Sequence, residues 1–176
     1  MKPAVRRFFR VLGSLMGWAA AAIVVVAATP AFADEQELFR LERSTNRNVV
    51  RYDAKTLDDG ALDPREPVSA YWILLATNGG REGLSWLERK VAYGFTTLRE
   101  PQGLGLKLVA FDRRVLHVRR VDGKFRAELA ILGRPARLER IWVQVEPAFL
   151  GPHVRWIDLH GVDLVTGKPL VERISN

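Results

Sequence analysis

Two polar side chains that could act in catalysis stand two residues apart near the C-terminal end of the chain. Asp158 and His160 follow Trp156 at alternate positions of a largely apolar segment. Alternate side chains of a β-strand point to the same face, and a carboxylate beside an imidazole can orient the ring as a general base. Asp158 and His160 are therefore the candidate catalytic residues. A solvated strand end before Gly161 is the alternative explanation.

Hydrogen-bond donors are concentrated in a second segment, residues 43–48, which reads RSTNRN. Ser, Thr and Asn side chains commonly bond their own backbone in turns, which accounts for the middle of this segment. Its two arginines exceed what a turn requires, and a guanidinium group binds carboxylate or phosphate through paired N–H groups. Arg43, Asn46 and Asn48 are therefore candidate contacts for an anion or a glycan.

A third polar group belongs to a predicted helix. Ser85 and Glu88 have the spacing of a capping box, and Gly94 suits a C-terminal stop, so the pattern predicts a two-turn helix over about residues 86–93. Its candidate ligand-binding residues are Glu88, Arg89, Lys90 and Tyr93. Lys90 falls among apolar positions. It either buries its stem and keeps its ammonium group in water, or lines a cleft beneath the helix.

Other catalytic and metal-binding signatures are missing from the sequence. The chain contains three His and no Cys. The histidines lack the i, i+2 or i, i+4 spacing of zinc ligands, so we predict no metal and no cofactor. There is no G-x-S-x-G motif and no cysteine nucleophile. The sequence therefore favours a protein that is not an enzyme, although enzymatic activity remains open.

Two hairpins are expected to carry several of these residues. Residues 44–47 separate two segments of alternating polarity, so we predict a hairpin with Leu41 opposite Val50 and Arg43 opposite Asn48.

The second hairpin turns at Asp122-Gly123, a strong signal for a two-residue turn. Its register places His117 opposite Glu128 as a cross-strand ion pair, and Arg119 opposite Arg126. Like charges in that position are destabilising. Either neighbouring acids relieve them, or this basic hairpin awaits an anionic surface.

The remaining pattern is also that of a β protein. Residues 68–77 are apolar at both parities, which predicts a central strand covered on both faces. A change of parity between Leu138 and Ile141 indicates a bulge. Trp86 and three other tryptophans are expected in the core. Eight or nine short strands and one short helix predict a mainly β fold, either an antiparallel β-sandwich or a partly closed barrel.

The first 33 residues have the composition of a targeting segment and not that of a β domain. Four basic residues and no acid precede the apolar run LMGWAAAAIVVVAA, and Ala31-Phe32-Ala33 suits a signal peptidase. The run is shorter than the roughly 20 residues that span a bilayer. We therefore predict a signal peptide over residues 1–33, cleaved near Ala33, and a single β-rich domain over 34–176. Arg6-Arg7 leaves the general and twin-arginine export routes open.

Four phrases carry a resemblance to a known family. They are RSTNRNVVRYDA at 43–54, EPVSAYWI at 66–73, WLERKVAYGF at 86–95 and VRWIDLHGVDLVTGKPLVERI at 154–174. Together they resemble exported bacterial proteins catalogued as domain of unknown function number four-eight-three-three, over nearly all of the predicted mature chain. The resemblance implies an exported domain and supplies no catalytic residues.

The functional expectation follows from composition and compartment. The net charge of +7 falls to +3 once the four basic residues of the signal are removed, so the basic character gives little reason to expect nucleic acid as a partner. We predict a periplasmic or secreted domain that binds an anionic envelope ligand or polysaccharide, and that meets the membrane only through the signal segment before cleavage. An envelope hydrolase or modifying enzyme using Asp158 and His160 is the alternative.

Overall fold

The structure is a computed structural model that describes residues 35–147 and 153–175, and all of them fall within one compact unit. The predicted signal peptide and its cleavage site lie outside the described residues. The described strands are β1 (Glu35–Arg43), β2 (Asn46–Lys55), β3 (Val68–Ile73), β4 (Arg81–Gly83), β5 (Phe95–Glu100), β6 (Gly103–Leu108), β7 (Phe111–Val121), β8 (Lys124–Ile131), β9 (Arg134–Glu146), β10 (His153–Asp163) and β11 (Pro169–Ser175). Helix α1 (Trp86–Glu88) continues as one π-helical turn (Arg89–Tyr93).

These eleven strands form one sheet that curls into a half-barrel. Nine strands run in the order β4-β3-β2-β1-β9-β8-β7-β6-β5, and β10 with β11 continues from β9. The mainly β prediction is confirmed, and the partly closed barrel describes the fold better than two packed sheets. The sheet is mixed, however, because β1 pairs with β9 in parallel.

The sheet forks at β9. One edge of β9 pairs with β10, while its other edge meets β8 up to Arg137 and β1 from Arg140 onward. The pairing with β10 skips Glu139, which confirms the predicted bulge between Leu138 and Ile141. The Gln36 amide exchanges two hydrogen bonds with the backbone of Phe125, at 2.7 and 2.8 Å, and so joins β1 to β8 beyond the fork.

The core lies on the inner face of the curled sheet. Phe39 and Tyr52, opposite each other on β1 and β2, stack with ring centroids 4.5 Å apart. The Tyr52 hydroxyl donates to the Tyr93 carbonyl at 2.8 Å and ties the helical segment to this core. Burying a large apolar side chain contributes about 1.5–3 kcal/mol. The largest fully buried apolar side chains include Leu106, Leu108, Leu116, Ile131, Leu138, Ile141 and Leu159.

The first hairpin confirms part of the predicted register. Leu41 lies opposite Val50, but Arg43 lies opposite Asn46, so the predicted pairing of Arg43 with Asn48 is wrong. The cause is a register shift between Leu41 and Arg43, which shortens the turn to residues 44–45.

The second hairpin follows the predicted register, with Asp122 and Gly123 at φ of 51° and 78°. His117 lies opposite Glu128, but its ring bonds Glu100 at 2.9 Å instead. Gly105 stands beside His117 on β6 and has no side chain, so the Glu100 carboxylate occupies that space.

Strand β3 is shorter and closer to the sheet edge than predicted. It ends at Ile73, and only the three-residue β4 lies beyond it. Its outer face is buried by neighbouring side chains and not by a second layer: the Arg81 guanidinium lies 3.7 Å from the Tyr71 ring centroid, and the Tyr71 hydroxyl bonds Asp53. The apolar residues of β3 therefore point to the core on one face and to neighbouring side chains, Arg81 and Asp53, on the other.

The helical segment has the predicted span and capping box. The exposed fractions of Trp86, Leu87 and Val91 are 72%, 59% and 60%, so the placement of Trp86 in the core is wrong. Only Tyr93 is buried in this segment. The Tyr93 ring packs against Trp72 in the core, whereas the other large apolar side chains of the segment point to solvent.

Candidate functional site

Arg43 is held by aromatic rings at the end of β1. Its guanidinium carbon lies 4.9 Å from the Trp72 ring centroid and 5.4 Å from that of Tyr93. The Arg43 side chain shares the inner face with Leu41, and its Nε is buried without a hydrogen-bond partner in the described part of the chain. Cation–π contacts restrict the guanidinium without using its N–H groups as hydrogen-bond donors.

Glu88 stands behind this aromatic pair. Its carboxylate accepts the Trp72 indole N–H at 3.0 Å and the Ser85 backbone N–H at 2.8 Å. Burial acts to raise the pKa of Glu88, but the hydrogen bonds from Ser85 and Trp72, together with the positive charge of Arg43, outweigh it and hold that pKa below its ordinary value. Burial raises the pKa of Tyr93, so its ring stays neutral. Glu88 thus fixes Trp72, on which Arg43 stacks.

A groove of 460 Å³ opens beside the turn that joins β1 and β2. We call it the β1–β2 groove, and its lining residues are Glu42, Arg43, Ser44, Thr45, Asn46, Arg47, Val49, Leu75 and Trp142. The Asn46 side chain accepts the backbone N–H of Asn48 at 2.9 Å. The Asn48 side chain accepts the backbone N–H of Ala76, also at 2.9 Å, and so anchors the wall that carries Leu75.

The groove carries two arginines and one acidic residue. Glu42 is its one acidic residue, and it is bound by Arg40 at 2.7 Å and Arg140 at 3.3 Å. Arg43 and Arg47 have no ion-pair partner within residues 35–147 and 153–175. A guanidinium without a carboxylate partner can bind an anion with two parallel N–H groups. The groove is therefore suited to a negatively charged ligand.

The predicted catalytic residues lie one strand away from the groove. Trp142 lines the groove and pairs with Asp158 on β10. Both Asp158 oxygens accept from Arg173, at 2.7 and 2.8 Å, and these bonds hold the pKa of Asp158 below its ordinary value. The Asp158 carboxylate thus orients Arg173 and not the His160 ring.

The His160 side chain contacts the Arg140 guanidinium. Arg140 approaches both of its ring nitrogens at 3.2 Å. Burial first, and then the charge of Arg140, lowers the pKa of His160, so the ring is neutral near pH 7. No hydrogen bond joins His160 to Asp158 among the described residues. The pair therefore lacks the geometry of an oriented general base.

A family comparison agrees with the sequence phrases. The model of a family described as domain of unknown function, DUF4833, matches residues 39–173. The chain belongs to this family. The match includes every candidate site residue, but the family description assigns no activity to them. No curated protein matches the chain, and no solved structure does.

The structure brings together some of the predicted residues and separates others. In this DUF4833 domain, Arg43 and Asn46 line the β1–β2 groove, and Asn48 shapes its wall. Arg89 donates to the Leu84 carbonyl at 3.1 Å and lines a different cleft. The Lys90 ammonium group lies 5.0 Å from the exposed Trp86 ring.

Sequence reasoning missed part of the groove. Trp142 and Leu75 are distant in sequence from the polar segment. The pairing of β9 with β1 brings Trp142 to the groove, and the turn after β3, anchored by Asn48, brings Leu75. Within the described ranges, no group of three or more His, Cys, Asp or Glu could hold a metal ion. The same part of the chain contains no helix with the length and apolar character needed to cross a membrane.

Proposed function

We propose that this protein is an exported, non-enzymatic domain that binds an anionic ligand or polysaccharide of the bacterial envelope in the β1–β2 groove. The observation that carries the proposal is Arg43, a groove-lining guanidinium that stacks on Trp72 and Tyr93 and forms no ion pair among the described residues. Arg47 adds a second cation at the same groove.

The energetic argument concerns pre-organisation. A free arginine loses side-chain entropy when it is fixed on a ligand, whereas a stacked guanidinium has already lost part of it. A hydrogen bond to a charged group contributes about 1.5–3 kcal/mol. Loss of the Arg43 guanidinium is therefore expected to weaken binding by about tenfold or more.

The export half of the proposal rests on the basic start, the apolar run and Ala31-Phe32-Ala33. Its test is expression of the full chain with a C-terminal tag in a Gram-negative host, followed by fractionation and N-terminal sequencing. We expect a periplasmic protein that begins at Asp34. A cytoplasmic protein with an intact N-terminus would contradict export.

The binding half is tested with polygalacturonate as a polyanionic probe and dextran as a neutral one. By isothermal titration, Arg43→Gln and Arg47→Gln should each weaken polygalacturonate binding, Arg43→Gln by about tenfold or more. The matched control is Arg119→Gln, which removes one exposed positive charge from the second hairpin.

Two outcomes would contradict the groove. One is equal loss of affinity in all three variants, because that indicates attraction to the net charge alone. The other is equal affinity for polygalacturonate and dextran. Binding that weakens between 50 and 500 mM salt in the wild type, and less steeply in Arg43→Gln, would support a direct charge contact.

A further inference from the structure

Among the open strand edges of the half-barrel, those of β5 and of the first half of β3 line one cleft. Strand β5 pairs only with β6, and the Val68–Ala70 half of β3 pairs only with β2 in the described part of the chain. Unpaired edge strands present rows of free N–H and C=O groups, which attract another extended chain. The open edges of β5 and β3 therefore offer backbone hydrogen-bonding groups to a partner chain.

A cleft of 620 Å³ lies between these two edges. We call it the seam cleft. Val68 and Ala70 line it from β3, and Phe95, Thr96 and Thr97 line it from β5. One residue of an extended chain occupies about 160 Å³, from its rise, the strand spacing and the sheet spacing, so the cleft has room for about four residues.

The floor of the seam cleft is fixed by the core. Phe95 meets the edge of the Tyr52 ring with centroids 6.2 Å apart, and Tyr52 also holds the Tyr93 carbonyl. The Gly94 carbonyl accepts from Val109, which anchors the start of β5. The two edges are thus held in place before any partner arrives, which lowers the ordering cost of binding.

The charge of the seam cleft favours an acidic partner. Arg65 and Arg89 line it, and neither forms an ion pair within the described ranges. Its one acidic residue, Glu66, is bound by Lys55. A second copy of this chain would bring the same two arginines against themselves, so charge disfavours self-association through this cleft.

From these observations we infer that the seam cleft binds an extended, acidic peptide segment of another protein by strand addition along β5. Backbone hydrogen bonds supply the affinity in this mode, and side-chain pockets and charges supply the specificity. Here the backbone edge is that of β5, and Arg65 and Arg89 select the acidic side chains. This site is separate from the β1–β2 groove.

The test uses the protein purified after expression of the full chain and a heptapeptide of alternating valine and threonine with glutamate at both ends. Fluorescence anisotropy should show binding that falls by about tenfold or more when lysine replaces both glutamates, or when Arg65→Gln and Arg89→Gln are combined. An N-methylated version of the peptide, which cannot pair as a strand, should not bind. On saturation, amide exchange should slow about tenfold or more within residues 95–100.

The matched control is Arg43→Gln, which should leave heptapeptide binding unchanged even if the β1–β2 groove binds polygalacturonate. Failure of one site is therefore distinguishable from failure of the other. Absence of binding at millimolar heptapeptide would overturn the inference, as would binding without slower exchange in β5. Protection of β5 that rises with protein concentration in the absence of peptide would identify a second copy as the occupant and would also overturn it.

Discussion

The arginines of the outer sheet face differ from those of the β1–β2 groove in what they contact. On the outer face, Arg51 bonds Asp53 at 2.6 Å, and Arg40 and Arg140 both bond Glu42. In the groove, Arg43 stacks on rings and Arg47 has no ion-pair partner among the described residues. Arg51 and Arg40 pair within their own strands and Arg140 pairs from β9 to β1, whereas the unpaired arginines remain available to a ligand. The same residue type thus has two roles, set by whether the fold provides a carboxylate.

The strongest test of the paired region is Asp53→Ala. Asp53 is fully buried and accepts from the Tyr71 hydroxyl and the Arg51 guanidinium. Its removal leaves the Tyr71 hydroxyl without an acceptor and Arg51 with only Glu37, at 3.4 Å, so we expect the free energy of unfolding to fall by about 2–4 kcal/mol, measured by urea denaturation. Glu37→Ala, at a more exposed acid that also meets Arg51, is the control and should cost less than about 1 kcal/mol. Similar losses would remove the distinction between buried and exposed pairs.

On the groove side, Tyr52→Phe tests how the aromatic support of Arg43 is anchored. The change removes the donor to the buried Tyr93 carbonyl, so we expect a loss of about 1–3 kcal/mol in thermal or chemical unfolding. Tyr93→Phe is the matched control, because the Tyr93 hydroxyl has no hydrogen-bond partner in the described structure. A control loss as large as that of Tyr52→Phe would show that the hydrogen bond is not the cause.

The pH dependence of the free energy of unfolding can separate the ion-pair contribution of an arginine from its packing contribution. Arg114 bonds both oxygens of Glu172, at 2.9 and 2.5 Å, and these bonds hold the pKa of Glu172 below its ordinary value of 4.5. A carboxyl group whose pKa is lower in the folded state than in the unfolded state stabilises the fold at any pH above its unfolded-state pKa. That stabilisation is lost as the pH falls through the folded-state pKa.

We therefore expect Arg114→Gln to cost about 1 kcal/mol at pH 7 and to converge with the wild type as the pH falls below the folded-state pKa of Glu172. Urea unfolding across pH 2–7 measures both values. A difference that persists unchanged at low pH would indicate lost packing of the Arg114 side chain.

The smallest effect is expected in the second hairpin. Arg119 lies opposite Arg126, and Arg126 is partly balanced by Asp122 at 3.4 Å. Replacing a like-charge pair with an opposite pair stabilises a sheet by a few tenths of a kcal/mol, so Arg119→Glu should be slightly stabilising. Arg119→Gln should fall between the two. A clear destabilisation by Arg119→Glu would show that Arg119 has a contact of its own.

Local sequence signals predicted the elements best where the chain specifies its own geometry. The Asp122-Gly123 turn fixed its hairpin register because both residues adopt positive φ. The Ser85 and Glu88 spacing likewise gave the helical segment. The predicted pairing of Arg43 with Asn48 was wrong because an irregularity adds two residues to β2 without a sequence signal of its own. The ion pair predicted for His117 was wrong because its partner comes from β5, two strands away.

The candidate site was predictable only in part for the same reason. The polar segment 43–48 identified one wall of the groove, but Trp142 comes from the distant strand β9 and Leu75 from the turn after β3. Asp158 and His160 share a strand face, as their spacing predicted, yet Arg173 and Arg140 occupy their polar atoms. Pairing across a sheet depends on register between distant segments, and alternation within one segment does not contain that information.

The sequence by itself determined the strand-rich character, the second hairpin and the position of the short helical segment, because turn geometry and capping depend on neighbouring residues. Only the tertiary structure decided which arginines have carboxylate partners and which strand edges stay open. Both follow from the forked sheet at β9 and its incomplete closure, where segments about 100 residues apart become neighbours.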